Sequence, residues 1–200
     1  MGHYGLSSLF FWAKETMDLL KAVNLILPAL GEHPVTRVDV KHPTLAVILP
    51  VIDSNVDMTL MRGWWFNEFP TTLYPDSEGG IAIPTDTLAF IPDEGQPGTV
   101  RNGVLFNTTT LDYLWTKPVP GTIQLRLTFE ELPESVATYV FYTALVQIYL
   151  VDIGLESVVG EWKQVAKTAE FLAANEHLRN MRHTTRKSGR YARLRSAMRS

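Results

Sequence analysis

The chain has 200 residues, of which 46% are hydrophobic and 20% are charged, a composition typical of a folded protein rather than a disordered one. It contains no cysteine, which excludes disulfides, thiolate catalysis and cysteine-ligated metal sites. The net charge of −3 conceals an uneven distribution, because residues 1–178 carry 21 acidic and 10 basic side chains, whereas residues 179–200 carry eight basic side chains and no acidic one.

Two helices are predicted in the first third of the chain. Apolar residues recur at helical spacing over residues 16–30, and Gly31 follows as a residue typical of a helix end. A second run with the same spacing extends over residues 43–60, and Arg62 and Gly63 follow it. A cation and a glycine suit the negatively polarised end of a helix, so the second helix is expected to end at this pair.

Between residues 64 and 129 the pattern changes from helical to alternating, which indicates β-structure. Residues 122–129 alternate between apolar and polar side chains and predict one strand. The pair Asn102-Gly103 lies between two short apolar runs and predicts a tight hairpin turn. Seven prolines interrupt this region, so short strands are expected rather than one large regular sheet.

Two more helices are predicted in the last third. Pro133 begins a run to residue 151 that is apolar around most of its circumference, as in a helix buried at the centre of a domain. The fourth helix is expected from residue 156 to beyond residue 178, with a buried stripe opposite a charged face. The residues of this stripe are Val158, Trp162, Val165, Ala169 and Leu172.

Together these elements predict an α+β fold. A bundle of about four helices is expected to carry a β-rich module inserted between its second and third helices. The expected organisation is an N-terminal extension at 1–15, a bundle formed by 16–63 and 130–178, the inserted module at 64–129, and an extended basic C-terminal arm at 179–200.

Motifs for chemistry are nearly absent. Glycine-rich phosphate loops, dinucleotide fingerprints and nucleophile elbows do not occur, and none of the five histidines forms a metal-binding pair at helical spacing. A pair of carboxylates from the β-rich module is the enzymatic alternative, a glycan hydrolase, although these acids lie in turn-forming sequence. They are Asp76, Glu78, Asp86, Asp93 and Glu94. We expect no enzyme, catalytic residue, cofactor or metal site.

No membrane anchor is expected either. The longest charge-free stretch, residues 135–151, is shorter than the ~20 apolar residues that a spanning helix needs.

Aromatic side chains concentrate at Trp64-Trp65-Phe66 and again at Tyr113 and Trp115. The favoured interpretation is a core at the junction between the second helix and the β-rich module. A subunit interface is the alternative, since tryptophan and tyrosine are enriched in interfaces.

The C-terminal arm combines seven arginines and one lysine with apolar residues at roughly helical spacing. A frayed terminus, a nucleic-acid contact through phosphates and docking into an acidic protein groove are the three interpretations. Arginine suits bidentate, desolvated contacts, so a protein groove is favoured and a DNA-binding module remains an alternative. The candidate docking residues are Arg179, Arg182, Arg186, Lys187, Arg190, Tyr191, Arg193, Leu194 and Arg195.

Four segments, in order along the chain, resemble those of the phage tail tubular protein A family, the head-to-tail adaptor proteins of short-tailed, T7-like phages (podoviruses). They are residues 22–35, similar to the family's A-V-N and G-E-x-P-V; residues 62–67, similar to R-G-W-x-F-N; residues 83–88, similar to I-P-x-D-x-L; and residues 129–134, similar to F-x-E-(L/M)-P-E. The matching positions, which we expect to serve mainly in packing, are Asn24, Gly31, Pro34, Arg62, Gly63, Trp64, Phe66, Asn67, Pro84, Asp86, Glu131 and Pro133.

The resemblance implies a structural virion protein of the phage tail, assembled in the host cytoplasm. Family members form a twelve-subunit ring that joins the portal protein to the tail nozzle, tail tubular protein B, with a tail fibre as a further neighbour. DNA passes through the ring during ejection without specific binding, and the acidic body suggests a channel wall that repels it. The family's C-terminal arm reaches toward the portal, while residues 1–15 are longer and more apolar than the family start.

Overall fold

The computed structural model describes residues 17–181. The N-terminal extension at 1–15 and all arm residues beyond 181 lie outside this range. In chain order the elements are α1 (Leu19–Ala29), α2 (Leu45–Leu60), β1 (Glu68–Leu73), β2 (Thr87–Pro92), β3 (Gly98–Arg101), β4 (Val104–Asn107), β5 (Val119–Leu125), α3 (Glu134–Asp152) and α4 (Ser157–Asn180). The predicted α+β fold, with β-structure between the second and third helices, is confirmed.

Helix α3 is the centre of the helical part, and it packs against α1, α2 and α4. Its buried face runs along its whole length, from Val136 through Val140 and Ala144 to Ile148. These side chains meet Ile26 and the buried stripe of α2 in one hydrophobic core. The prediction of a central, almost entirely apolar third helix therefore describes the core correctly.

With 19 residues, α3 is also the one helix among residues 17–181 that is long and apolar enough to cross a membrane by length and composition. The helix is longer than the charge-free stretch at residues 135–151, from which the sequence predicted no membrane-spanning helix. Its apolar side chains between Val136 and Ile148 form the core with the other helices, and the core helix of a folded protein passes the same test.

The predicted buried stripe of α4 is right in part. Ala169 is buried, Val158 and Trp162 are half-buried, and Trp162 packs against the helical core. Val165 and Leu172 are instead exposed, and Val159 and Ala173 are buried. Alanine at a helix contact lets the two helix axes approach closely, so the size of an apolar side chain does not by itself identify the buried face of α4.

The β-module, which we define as residues 68–125, contains two small antiparallel sheets. β5 lies in the middle of a three-stranded sheet with the order β1-β5-β2, and β3 pairs with β4. The β3–β4 hairpin turns at Asn102 and Gly103, whose φ angles of 49° and 74° are those of a type I′ turn, as the sequence predicts. Strands of four to seven residues also agree with the short strands expected from the prolines.

The strand predicted at 122–129 ends earlier than expected. β5 stops at Leu125, and Phe129 belongs to a short 3-10 turn. Thr128 and Glu131 form a capping box there: the Glu131 carboxylate accepts hydrogen bonds from the Thr128 backbone N–H at 2.8 Å and from its hydroxyl at 2.9 Å. This local pairing overrides the alternating pattern, which by chance continues through the turn.

A buried amide joins the helical part to the β-module. The Asn67 side chain is fully buried and accepts a hydrogen bond from the Trp64 N–H at 2.8 Å. It donates to the carbonyl oxygens of Leu60 at 3.0 Å and Leu125 at 3.1 Å, the last residues of α2 and β5. One side chain thus fixes the end of a helix against the end of a strand.

Gly63 makes this junction sterically possible. Its φ of +72° is one that residues with a side chain rarely adopt, and an added Cβ would lie 1.9 Å from the Glu68 carboxylate. The same Cβ would lie 2.8 Å from the amide nitrogen of the buried Gln124, which donates to that carboxylate at 2.8 Å. Only glycine satisfies both the backbone and the packing here.

We predict that Gly63→Ala lowers the free energy of unfolding by about 2–5 kcal/mol, since it adds backbone strain of about 1–2 kcal/mol to a disturbed buried hydrogen bond worth about 1–3 kcal/mol. Gly31→Ala is the matched control, because Gly31 has a φ of +78° but nothing within 4 Å of the added Cβ. Thermal and urea unfolding of both variants measure the difference. Equal losses would show that the contacts at Gly63 contribute nothing beyond backbone strain.

Candidate interaction site

A groove of about 740 Å³ lies where the helices meet the β-module. Its walls come from four separate parts of the sequence: the start of α1, the middle of α2, residues 84–86 before β2, and residues 125–131 after β5. The apolar lining residues include Leu19, Val56, Leu125, Leu127 and Phe129. The acidic ones are Asp53, Asp57, Asp86, Glu130 and Glu131, and Arg126 is the single cation of the lining.

The acidic side chains of the groove differ in their partners. Asp57 forms an ion pair with Arg126 at 2.6 Å, and Glu131 is held by the capping box with Thr128. The carboxylates of Asp53, Asp86 and Glu130 make no hydrogen bond or ion pair with any other residue between 17 and 181. The groove therefore keeps a negative charge that its own described residues do not compensate.

Two carboxyl groups of the groove have shifted pKa values, in opposite directions. Partial burial of its carboxyl raises the pKa of Asp53, although the residue as a whole remains exposed, and the neighbouring charges of Asp57 and Glu130 add to the rise. The backbone hydrogen bond from Thr128, followed by the one from its hydroxyl, lowers the pKa of Glu131. Of these two carboxyl groups, Asp53 is therefore the one that ionises less readily.

Three of the family-matching residues, Pro84, Asp86 and Glu131, lie in this groove. Sequence reasoning missed Asp53, Asp57, Glu130 and Arg126 as neighbours of these three. A signal was present for two of them, because Asp53 and Asp57 stand four residues apart and are the only charged residues of α2.

The other family-matching residues hold local structure. The Asn24 side chain both accepts from and donates to the backbone of Val35, at 2.8 and 2.9 Å, and so ties α1 to the loop that follows Gly31 and Pro34. Pro133 directly precedes α3 as its cap residue.

Arg62 connects three helices. Its guanidinium donates to the Glu170 carboxylate of α4 at 2.7 Å and lies 5.6 Å from the Tyr139 ring centre of α3. The hydrogen bond to Glu170 raises the pKa of Arg62.

The aromatic residues do not form the single junction core that we favoured. Trp64 belongs to the helical core and its ring stacks with Phe66, while Trp65 donates its backbone N–H to His177 at 3.3 Å. Trp115 belongs to a second core inside the β-module, where its indole donates to the Leu105 carbonyl at 2.9 Å. The two groups of aromatics therefore stabilise two different cores.

The hydrolase alternative receives no support from the carboxylates of the β-module. Asp86 and Asp93 flank opposite ends of β2, about 23 Å apart at ~3.3 Å per residue. Glycosidases place their two carboxyl groups roughly 5–9.5 Å apart. Asp76 accepts from the backbone N–H groups of Glu78 and Gly80, so it holds a turn. Among residues 17–181, no group of three or more potential ligands could hold a metal ion.

Of the candidate docking residues in the arm, only Arg179 lies within the described range. It is exposed in the last turn of α4, and its guanidinium donates weakly to the Asn175 carbonyl at 3.4 Å. The remaining ones, Arg182, Arg186, Lys187, Arg190, Tyr191, Arg193, Leu194 and Arg195, lie outside it.

Comparison with known proteins gives two matches. Residues 20–188 match a family model described as "Tail tubular protein". The chain is also similar to "Tail tubular protein A" of Klebsiella phage KP34, with 33% identity over 183 residues that cover 90% of this chain and 98% of the relative. The matched region includes all four helices, the β-module and the groove.

We predict that Asp53→Asn stabilises the protein at neutral pH, by less than about 1 kcal/mol because solvent screens an exposed group. The raised pKa means that the Asp53 carboxylate opposes folding when it is charged, and that this penalty disappears as the pH falls below the ordinary range of carboxyl groups. The gain in melting temperature should therefore be present at pH 7 and vanish in acid. Asp93→Asn, at an exposed turn, is the control and should show no such gain; a gain independent of pH at Asp53 would contradict the electrostatic cause.

Proposed function

The chain belongs to the tail tubular protein family and is a structural component of a phage tail, and we propose that it forms the adaptor ring between the portal protein and the tail nozzle. In this proposal twelve copies form a closed ring whose lumen is part of the channel for DNA ejection. The family membership carries the proposal, and the shape and surface of the chain support it.

Two helices present apolar surface that no other part of residues 17–181 covers. On α4, Phe171 is 66% exposed, and Val165, Leu172 and Leu178 are exposed beside it. On α2, Val47 and Met58 are exposed, as is Met61 directly after it. Large exposed apolar residues grouped on one helix face are typical of protein interfaces.

The positions of these two surfaces suit a ring. α2 and α4 both pack against α3 and scarcely contact each other, so their exposed faces belong to different sides of the subunit. A ring with cyclic symmetry needs a heterologous contact, in which one face of a subunit binds a different face of the next. We propose that the exposed face of α4 meets the exposed face of α2 in the neighbouring copy.

The charge distribution supports a channel that does not hold DNA. Residues 1–178 carry 21 acidic and 10 basic side chains, and an acidic wall would repel the phosphate backbone. A ring whose lumen is lined mainly by lysine and arginine would contradict this part of the proposal.

We further propose that the helical part and the β-module act as separate units of the ring, a bundle formed by 16–63 and 130–178 and a module at 64–129. The two hydrophobic cores support this division, because the buried residues of one belong to the helices and their flanking turns, and the buried residues of the other lie between Ile81 and Ile123. The basic arm at 179–200 would contact the portal, and the other side of the ring would contact the nozzle and a tail fibre.

We predict that Phe171→Asp prevents ring formation while leaving the melting temperature nearly unchanged, because Phe171 is exposed in the isolated chain and its burial is expected only between subunits. Assembly of the variant should require at least about ten times more protein than assembly of the parent, as expected for the central residue of an interface. Mass measurement with and without the portal ring, together with imaging of assembled tails, gives the readout.

The matched control is Gln164→Asp, which introduces the same charge at an exposed polar position of α4. It should assemble normally. If Phe171→Asp assembles as well as this control, the α4 face is not a subunit interface; if the parent chain never forms a ring on the portal, the proposed function itself is wrong.

A further inference from the structure

We propose that the groove between the helices and the β-module is the docking site of the chain's own basic segment, residues 182–200, in the free subunit. This inference goes beyond the adaptor function, because it concerns the chain before it meets any partner. It assigns the segment an intramolecular site that must be vacated before the same residues can contact another protein.

The chemistry of the groove matches that of the segment. The floor is apolar, with Leu19, Leu125 and Leu127 half-buried, and the rim carries the uncompensated carboxylates of Asp53, Asp86 and Glu130. The segment combines seven cations with Tyr191, Leu194 and Met198, and it contains no acidic residue. Arginine can pair with carboxylates in bidentate fashion while the apolar residues cover the floor.

The position at which the described chain ends makes the contact reachable. Near the end of α4, the Glu176 carboxylate accepts a hydrogen bond from the Ser135 hydroxyl, and Ser135 follows the groove residue Glu131 by only four positions. The start of α1, beside the groove, is at the same end of the protein, since the Met17 N–H donates to Glu134 at 2.7 Å. Residues 182–192 can span up to about 36 Å when extended, so the segment can extend from the end of α4 past the start of α3.

Tethering favours this intramolecular contact over binding to a second copy. A segment attached by a short linker has an effective concentration on the order of millimolar at its own site, so at ~1 μM protein the chain's own segment outcompetes that of another molecule. At the portal, many subunits and new acidic surface would be present together. The segment would then leave its own groove and bind the other acidic surface instead.

The absence of cysteine permits a direct test in the full-length chain. A single pair of cysteines is introduced at Thr85, which lies in sequence between the groove residues Pro84 and Asp86, and at Ala192 in the segment. The pair is treated with a short bismaleimide at ~1 μM protein, where the tethered contact dominates. The control pair joins Ala192 to Gln96, which is equally exposed but lies beyond the far end of β2. We expect at least about fivefold more intramolecular product from the Thr85 pair, given the high effective concentration at the groove.

Two further conditions separate docking from chance encounter. Raising the salt from about 0.1 M to 1 M shortens the Debye length from ~10 Å to ~3 Å and should remove most of the excess product. Neutralising the groove with Asp53→Asn, Asp86→Asn and Glu130→Gln should remove it as well. The control triple Asp93→Asn, Glu94→Gln and Glu161→Gln removes the same number of charges elsewhere and should not.

Equal yields from the two cysteine pairs, or a yield that neither salt nor groove neutralisation changes, would overturn the proposal. Product formed only between molecules would assign the groove to the segment of a second copy and would equally overturn docking within one chain. The experiment uses the isolated chain, so a protein that joins tails normally but gives no intramolecular product refutes this inference and leaves the adaptor function standing.

Discussion

The arrangement of the whole subunit depends on the buried side chain of Asn67. Its amide receives one hydrogen bond and donates two, and the three partners belong to the turn after α2, to the last residue of α2 and to the last residue of β5. A buried polar group left without partners costs about 1–3 kcal/mol per group, so these contacts form together or not at all. They set the angle at which the β-module leaves the helices, and Gly63 gives the backbone the conformation that the angle requires.

The groove is a consequence of that angle. One wall is formed by α1 and α2, and the other is formed by the residues that flank β2 and β5. The ion pair between Arg126 and Asp57 crosses the groove, but exposed pairs of this kind contribute only about 0–1 kcal/mol. The ion pair between Arg126 and Asp57 therefore does not determine how the β-module is oriented relative to the helices. The uncharged, buried hydrogen bonds of Asn67 are what keep several acidic side chains facing one another across a narrow space.

The sequence predicted those parts of the structure that follow from local periodicity. The four helices and the Asn102-Gly103 hairpin were predictable because spacing and turn chemistry act over a few residues. The predicted end of β5 was wrong because the capping box of Thr128 and Glu131 competes with an alternating pattern. The predicted buried stripe of α4 was wrong at Val165 and Leu172, which are exposed while the small side chains of Ala169 and Ala173 are buried. The groove was beyond the reach of sequence reasoning, since its lining comes from four segments whose proximity is created only by the fold.

In the proposed assembly, the opposed charges of the acidic body at 1–178 and the basic arm at 179–200 would reconcile the stability of the isolated subunit with ring formation. Among residues 17–181, Arg126 is the one cation that lines the groove and it pairs with Asp57, so the negative charges of Asp53, Asp86 and Glu130 would attract further cations. Cations of the chain's own segment, residues 182–200, would neutralise the groove carboxylates without creating a contact between free subunits. Premature association would thereby be suppressed. Exposed apolar faces on α2 and α4 would then join subunits only where a template brings many copies together, because each face alone is small and a ring closes cooperatively. In the proposed ring, the same electrostatic attraction would delay assembly in solution and permit it at the portal.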